Sequence, residues 1–251
     1  MYIEEIMLYV MSGLFGLVFG SFLNVLILRI PRGEEFVLTP SHCMSCGHPL
    51  KWTDLVPFFS YVFLRGRCRY CKAKISVQYP VIELLNAVLW VISMLVCGLT
   101  LYGLLVCFMS SALLALAVID WRTYEIPLGF NIWILLLGVV RIALQPELLV
   151  SGVAGFFAVS LPLAAIFYIS HGKAIGGGDV KLMAAAGLFL GWKNILLALI
   201  LGCILGSVIH ILRMRLAGAG RVLAMGPYLA AGILVSAWFG DAWITWYISL
   251  L

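Results

Sequence analysis

The sequence predicts an all-α polytopic membrane protein, with about eight transmembrane helices and a small zinc-ribbon-like domain between the first two. Three observations predict it. Of the 251 residues, 64% are hydrophobic and 11% charged, with a mean hydropathy of +1.11, so a water-soluble globule would lack the polar surface to cover itself. The apolar residues gather into eight runs that approach the ~20 residues needed to cross a hydrocarbon core about 30 Å thick. Four cysteines in two pairs stand in the one polar stretch long enough for a small soluble domain.

The runs cover residues 6–28, 81–97, 101–119, 126–143, 149–170, 180–191, 195–212 and 222–239, the sixth being short. None alternates with the two-residue period of a membrane barrel strand. A backbone crossing lipid must satisfy its own hydrogen bonds, so helices follow. The first run opens on Glu4 and Glu5, lacks a basic lead-in and continues through Asn24 to Arg29 without a small-residue cleavage site; it reads as a retained helix. The chain divides into a first transmembrane helix (1–29), a tetracysteine domain (30–80) and a transmembrane core (81–251).

The net charge of +5 would raise nucleic acid as a partner for a soluble domain, but here the placement of the basic residues reports orientation. Eight of the 16 lie from Arg29 to Lys74, and Arg122, Lys173, Lys181, Arg213, Arg215 and Arg221 fall in every second connection after that. Arg141 and Lys193 fall on the other side. The positive-inside rule puts the long loop and those connections in the cytoplasm and both termini outside. Asp120 and Asp179 then share one face.

Cys43, Cys46, Cys68 and Cys71 follow the pattern Cys-x2-Cys, 21 intervening residues, Cys-x2-Cys. Two such knuckles offer four thiolates to a tetrahedral zinc ion. Cytoplasmic thiols stay reduced, which favours Zn2+ over two disulfides, and so small a domain needs a staple. His42 and His48 stand beside the first knuckle as bystanders, because four cysteines already fill the shell. Cys97, Cys107 and Cys203 read as small buried hydrophobes.

Ionisable residues at membrane depth are costly and point to function. Asp120 closes the apolar run "LLALAVID", and Asp179 follows Gly176, Gly177 and Gly178. The plainer alternative is that each carboxylate caps a helix or pairs with Arg122 or Lys181. Taken together they make a sharper case. Two neighbouring carboxylates hold one proton between them, so one activates water while the other polarises a carbonyl. The three glycines would let an extended substrate backbone approach Asp179, and Ala184, Gly187 and Gly191 form a small-residue face for helix packing. Phosphate-loop and dinucleotide motifs are absent, and His171 and His210 form no nucleophile constellation. Asn24 reads as a hydrogen-bonding group between helices.

The ordered set "GSFLNVLILRIPRG", the tetracysteine loop, "RCRYCKAKISVQYPVIELL", Asp120 followed by Ile126-Pro127, "GGGDVKL" and "MGPYLAAG" resembles the bifunctional prepilin peptidases of type IV pilus, competence and type II secretion systems, aspartic membrane proteases with a Gly-x-Gly-Asp motif. Leu128 stands where many relatives carry a polar residue. The resemblance implies a peptidase core with Asp120 and Asp179 catalytic, in the bacterial plasma membrane. It implies cleavage of a basic leader from prepilins or pseudopilins after a glycine on the cytoplasmic side. It further implies methylation of the new N-terminal amine from S-adenosylmethionine. Glu83, in "YPVIELL", is a candidate for the substrate amine or the donor; an interfacial carboxylate near Lys72 or Lys74 is the alternative. The partners implied are prepilins and the bilayer, with no nucleic acid. A proton-coupled transporter relaying through the two aspartates would favour midplane carboxylates and inverted repeats, and no repeat is visible. A zinc-ribbon scaffold would leave both aspartates replaceable.

Overall fold

The computed structural model describes residues 3–217 and 223–250. Arg221 and Val222, assigned above to a basic connection and to the start of the last run, lie outside them. The helices in order are α1 (Ile3–Arg29), α2 (Phe59–Phe63), α3 (Gln78–Cys97), α4 (Leu101–Thr123), α5 (Leu128–Leu144), α6 (Leu149–Ile169), α7 (Gly177–Leu190), α8 (Trp192–Ala217) and α9 (Gly226–Ile248). Among the described residues there is no strand, only the isolated bridges His42–Pro49 and Arg67–Lys74. Eight helices fall on the eight apolar runs, and α2 is a single turn within the polar stretch. Six are long and apolar enough to cross a membrane, while α5 has 17 residues and α7 only 14.

Several boundaries move outward from the apolar runs. The last run ends at 239, yet α9 continues to Ile248, because Asp241 accepts the Asn194 Nδ2–H at 2.8 Å and so is tolerated within the helix. Helix α4 runs past Asp120 to Thr123 and stops where Tyr124 turns to φ 57°. Gly177 and Gly178, which lie before the apolar run that starts at 180, form the first turn of α7. The α7–α8 junction turns at Gly191, whose φ of +84° is open to glycine at little cost.

The chain forms two compact units divided between Ser111 and Ala112. In the first, α1 and α3 pack antiparallel at close range. A Cβ on Gly16 would meet Ala87 Cα at 2.7 Å, and one on Gly20 would meet Glu83 Cα at 2.7 Å. Small residues bring backbones this close in lipid, where packing rather than hydrophobicity joins helices. Asn86 Nδ2–H donates to Gly16 O at 2.8 Å and Asn24 Nδ2–H to Tyr79 O at 3.1 Å, the interhelical role read for Asn24. Trp90 Nε1–H donates to Ser111 Oγ, which donates in turn to Asn86 Oδ1, both at 2.8 Å.

In the second unit, Gly155 of α6 lies against Gly187 and Gly191, so the small-residue face read on α7 is a helix contact. A Cβ on Gly138 of α5 would meet Phe189 N of α7 at 3.1 Å, and one on Gly232 of α9 would meet Gly202 N of α8 at 2.9 Å. Cys107 is buried as expected and Cys97 is partly so, whereas Cys203 is exposed on α8. An apolar run on a membrane helix does not distinguish a protein-facing position from a lipid-facing one, since both environments are apolar.

Candidate functional site

Three contacts build the aspartate site at one end of the second unit. Asp120, in the last turn of α4 and 5% exposed, accepts the Gly226 N–H on Oδ2 at 2.8 Å. Gly226 opens α9, so the positive end of that helix faces the carboxylate. A Cβ on Gly226 would lie 2.7 Å from Oδ2, so only glycine leaves room. The lead-in to α5 meets the start of α7, because a Cβ on Gly178 would meet Ile126 Cβ at 3.0 Å. Arg213, near the end of α8, lies over the Trp121 ring at 4.3 Å, a cation–π contact beside Asp120.

Asp179 is the third residue of α7, and Gly176 is its N-cap. The Asp179 carboxylate reaches back to the Gly176 N–H, and the Asp120 charge acts on it. That backward reach is the carboxylate half of a capping box, so the capping alternative holds for one oxygen. The other, Oδ1, is buried without a hydrogen-bond partner. The glycines have local reasons of their own. A side chain at Gly176 would meet Asp179 Oδ2 at 3.0 Å, one at Gly177 the Phe167 ring at 3.5 Å, and one at Gly178 would meet Ile126.

Asn131 escaped the sequence reading. It is 4% exposed, and neither Oδ1 nor Nδ2 has a hydrogen-bond partner. Seven residues separate it from Gly138, so two helical turns return it to the side of α5 that meets α7. It stands between the Ile126–Gly178 and Gly138–Phe189 contacts, alongside the first turns of α7. A lone Asn in an apolar run looks like any interhelical polar residue. Only the packed structure shows that its amide is unspent.

The four cysteine Sγ atoms lie within 4.8 Å of one another, and Cys43 and Cys71 are 3.8 Å apart. A tetrahedral ion with metal–sulfur bonds of about 2.3 Å sets its sulfurs about 3.8 Å apart, so the donor set fits zinc. The two knuckles are alike. Gly47 N–H donates to Cys43 O at 2.8 Å and Cys43 N–H to His48 O at 3.0 Å; Lys72 N–H donates to Cys68 O at 3.0 Å and Cys68 N–H to Ala73 O at 2.9 Å. Backbone N–H groups of Ser45 and Cys46 hold the Cys43 thiol down to about 6. At Cys71 the Ala73 N–H acts in the same direction, yet burial and the neighbouring thiols push it up to about 11. Thiols packed this tightly resist ionising together, and a dication removes that conflict. His48 rests on the Tyr70 ring at 3.7 Å and His42 Nδ1 is 3.3 Å from Pro40 O, in keeping with bystander roles.

Glu83 is 5% exposed and accepts the Phe58 N–H at 2.6 Å. Its partner is the loop before α2, not a lysine. Arg29, read only as an orientation charge, is also structural. Its guanidinium donates to Glu35 O, Thr39 O and Pro40 O at 3.1, 2.8 and 3.2 Å, fastening the lead-in to the first knuckle onto the end of α1.

Two family models match the chain. The bacterial peptidase A24 N-terminal domain matches residues 14–97 and the type IV leader peptidase family matches residues 107–211. The prepilin leader peptidase/N-methyltransferase of Xanthomonas campestris is 32% identical over 258 residues, covering 90% of this chain and 90% of the relative. The chain belongs to the type IV leader peptidase family. A Bacillus subtilis prepilin leader peptidase/N-methyltransferase is 32% identical over 241 residues, covering 94% of this chain and 96% of the relative. No solved structure matches. Family membership makes the chain an enzyme and an integral membrane protein, as its motifs and apolar helices led one to expect. The first family model spans α1, the cysteine cluster and α3, and the second spans Asp120 and Asp179. Gly226, whose N–H holds Asp120, lies beyond both.

Proposed function

We propose that the chain is a prepilin leader peptidase of the bacterial plasma membrane. It cleaves the basic leader of prepilins or pseudopilins after a glycine on the cytoplasmic side, and then methylates the new N-terminal amine from S-adenosylmethionine. One observation carries the peptidase: the Asp120 charge acts on Asp179 at one end of the second unit, and Asp179 Oδ1 is buried and unpartnered there. The pair holds a single proton. The ionised carboxylate takes a proton from water as its oxygen attacks the scissile carbonyl, and the protonated carboxylate gives its proton to the carbonyl oxygen. Collapse of the tetrahedral adduct moves a proton to the amide nitrogen and breaks the C–N bond, leaving a carboxylic acid, an amine and the original one-proton pair. The excess of basic residues in the connections at this end supports the cytoplasmic side. A substrate whose apolar helix lies in the bilayer and whose leader lies in the cytoplasm arrives with its cleavage point near this end. Family membership favours this reading over a transporter or a scaffold. Zn2+ held by Cys43, Cys46, Cys68 and Cys71 would serve as a structural staple. The test is purified chain with a prepilin, with and without S-adenosylmethionine, read by mass spectrometry. Expected are a leader-free product in both reactions and an increment of about 14 daltons, one methylene, only with the donor; an intact prepilin in both overturns the proposal.

Asn131 enters this reading as a partner for the substrate backbone. A primary amide offers one acceptor and two donors, the complement of a peptide group, and leaving it unpaired costs about 1–3 kcal/mol per group. Asn131→Leu is therefore expected to leave thermal stability unchanged or raised while slowing leader removal roughly tenfold, the effect of about 1.4 kcal/mol in the barrier. A melting temperature and an initial rate from one preparation check it. Equal loss of both would make Asn131 a packing residue.

A further inference from the structure

The linker from α4 to α5, residues 124–127, leads from the helix of Asp120 to the start of α7, where Asp179 stands. Tyr124 leaves α4 at φ 57°, a left-handed conformation uncommon for a non-glycine residue, and its N–H donates to Asp120 O at 2.8 Å. Ile126 lies against Gly178, the residue before Asp179. Pro127 caps α5 at φ −62° and keeps the residue before it out of the helical region. Glu125 is therefore pinned on both sides while remaining exposed. We propose that Glu125 is a specificity-determining residue: its carboxylate pairs with a basic side chain of the leader close to the scissile bond, while Asp120 and Asp179 act on the bond itself. The proposal rests on the peptidase reading above and names the group that selects its substrate.

Charge singles Glu125 out. Residues 121–127, 171–178 and 213–225 contain Arg122, Lys173, Arg213, Arg215 and Arg221, and Glu125 is their one acidic residue. Apart from the aspartate pair, every other fixed charge in these connections repels a basic leader. An anion set among cations ordinarily pairs with one of them. Arg122 stands three residues away, but the helix that would align the two ends at Thr123, and the Glu125 carboxylate makes no ion pair with a described residue. It is available to an incoming cation.

Its level along the substrate is also suitable. Asp120 lies in the last turn of α4 and Glu125 beyond the end of that helix. A substrate whose apolar helix lies in the bilayer reaches the aspartates first and Glu125 next, on its leader side. Asn131, near the start of the helix that this linker feeds, is buried with both amide atoms unpartnered, an independent mark of a place left for a peptide. An amide suits the backbone, which every substrate has. A carboxylate reads a side chain, which differs from one leader to another. Pairing at an exposed site adds modest affinity and acts chiefly on encounter and choice of partner, so its effect belongs in KM and not in the chemical step.

Initial rates with full-length protein in nanodiscs test this, using two prepilins that differ only at the basic residue nearest the scissile glycine, which is kept in one and replaced by Glu in the other. The native chain should prefer the basic leader. Glu125→Lys should raise KM for the basic leader roughly tenfold and lower it for the acidic one by about as much, with kcat changing less than about twofold, and Glu125→Gln should fall between. A residue that merely shaped the linker would not exchange the preference. In the native chain, raising the salt from about 0.01 to 1 M, which shortens the screening length from roughly 30 to 3 Å, should erase most of that preference. Unchanged preference in Glu125→Lys, a fall in kcat alone, or a native preference that survives salt overturns this proposal and leaves the peptidase standing. Failure of the native chain to cleave either prepilin overturns the peptidase reading and this proposal with it.

Discussion

Asp120→Asn and Asp179→Asn should each abolish leader removal, by roughly a thousandfold or more, and the double variant should be no worse than either single one, because residues that act as a unit lose their effect together. The substitution separates catalysis from capping. Asparagine caps a helix about as well as aspartate, and its side-chain oxygen still accepts an N–H. The Asp120→Asn variant would therefore keep the contact with Gly226 that the carboxylate makes at 2.8 Å, and the Asp179→Asn variant would keep the contact with Gly176. What disappears is the shared proton. Both variants should insert, purify and melt like the parent while the substrate stays intact in the mass spectrum. Cleavage at even a tenth of the parental rate by either variant would show that the two carboxylates are not one catalytic unit.

The second large effect concerns the cysteines. Elemental analysis of freshly purified, reduced protein should find about one zinc ion per chain, and Cys43→Ser or Cys71→Ser should lose it. The stretch around these residues has little else to hold it. Among the described residues its regular structure is α2, short 3-10 turns and two isolated bridges, and its ion pairs are Arg32–Glu34 and Arg69–Asp54. Metal binding in such small domains supplies much of the folding free energy, so both variants should be cut rapidly by protease between Gly33 and Gln78. The cysteines belong to the first unit, whereas the aspartates belong to the second. Leader removal should therefore persist as metal content falls. A metal-free native protein whose loop resists protease would refute the staple.

Much of this was legible in the residues. Hydrophobic composition alone implies the bilayer, because 64% apolar residues cannot be covered by 11% charged ones, and lipid then leaves the backbone little choice but helix. The cysteine spacing implies a four-thiolate cluster, since the required residue types and intervals are local. Two aspartates at the ends of apolar runs are conspicuous because charge is expensive there.

What no run of letters contains is which surfaces meet. The Gly226 N–H on Asp120 spans 106 residues, and the Phe58 N–H on Glu83 joins a loop to a helix. Gly178 looks open in the sequence and is filled by Ile126 in the fold. Asn131 and Asn24 read alike as polar residues in apolar runs, yet Asn24 finds Tyr79 O and Asn131 finds nothing. The reason is physical. Hydrophobic periodicity and ligand spacing are properties of a chain and its solvent, so sequence by itself determined the class, the cluster and the candidate carboxylates. Hydrogen-bond satisfaction and steric room are properties of pairs of distant groups, and only the tertiary structure decided those.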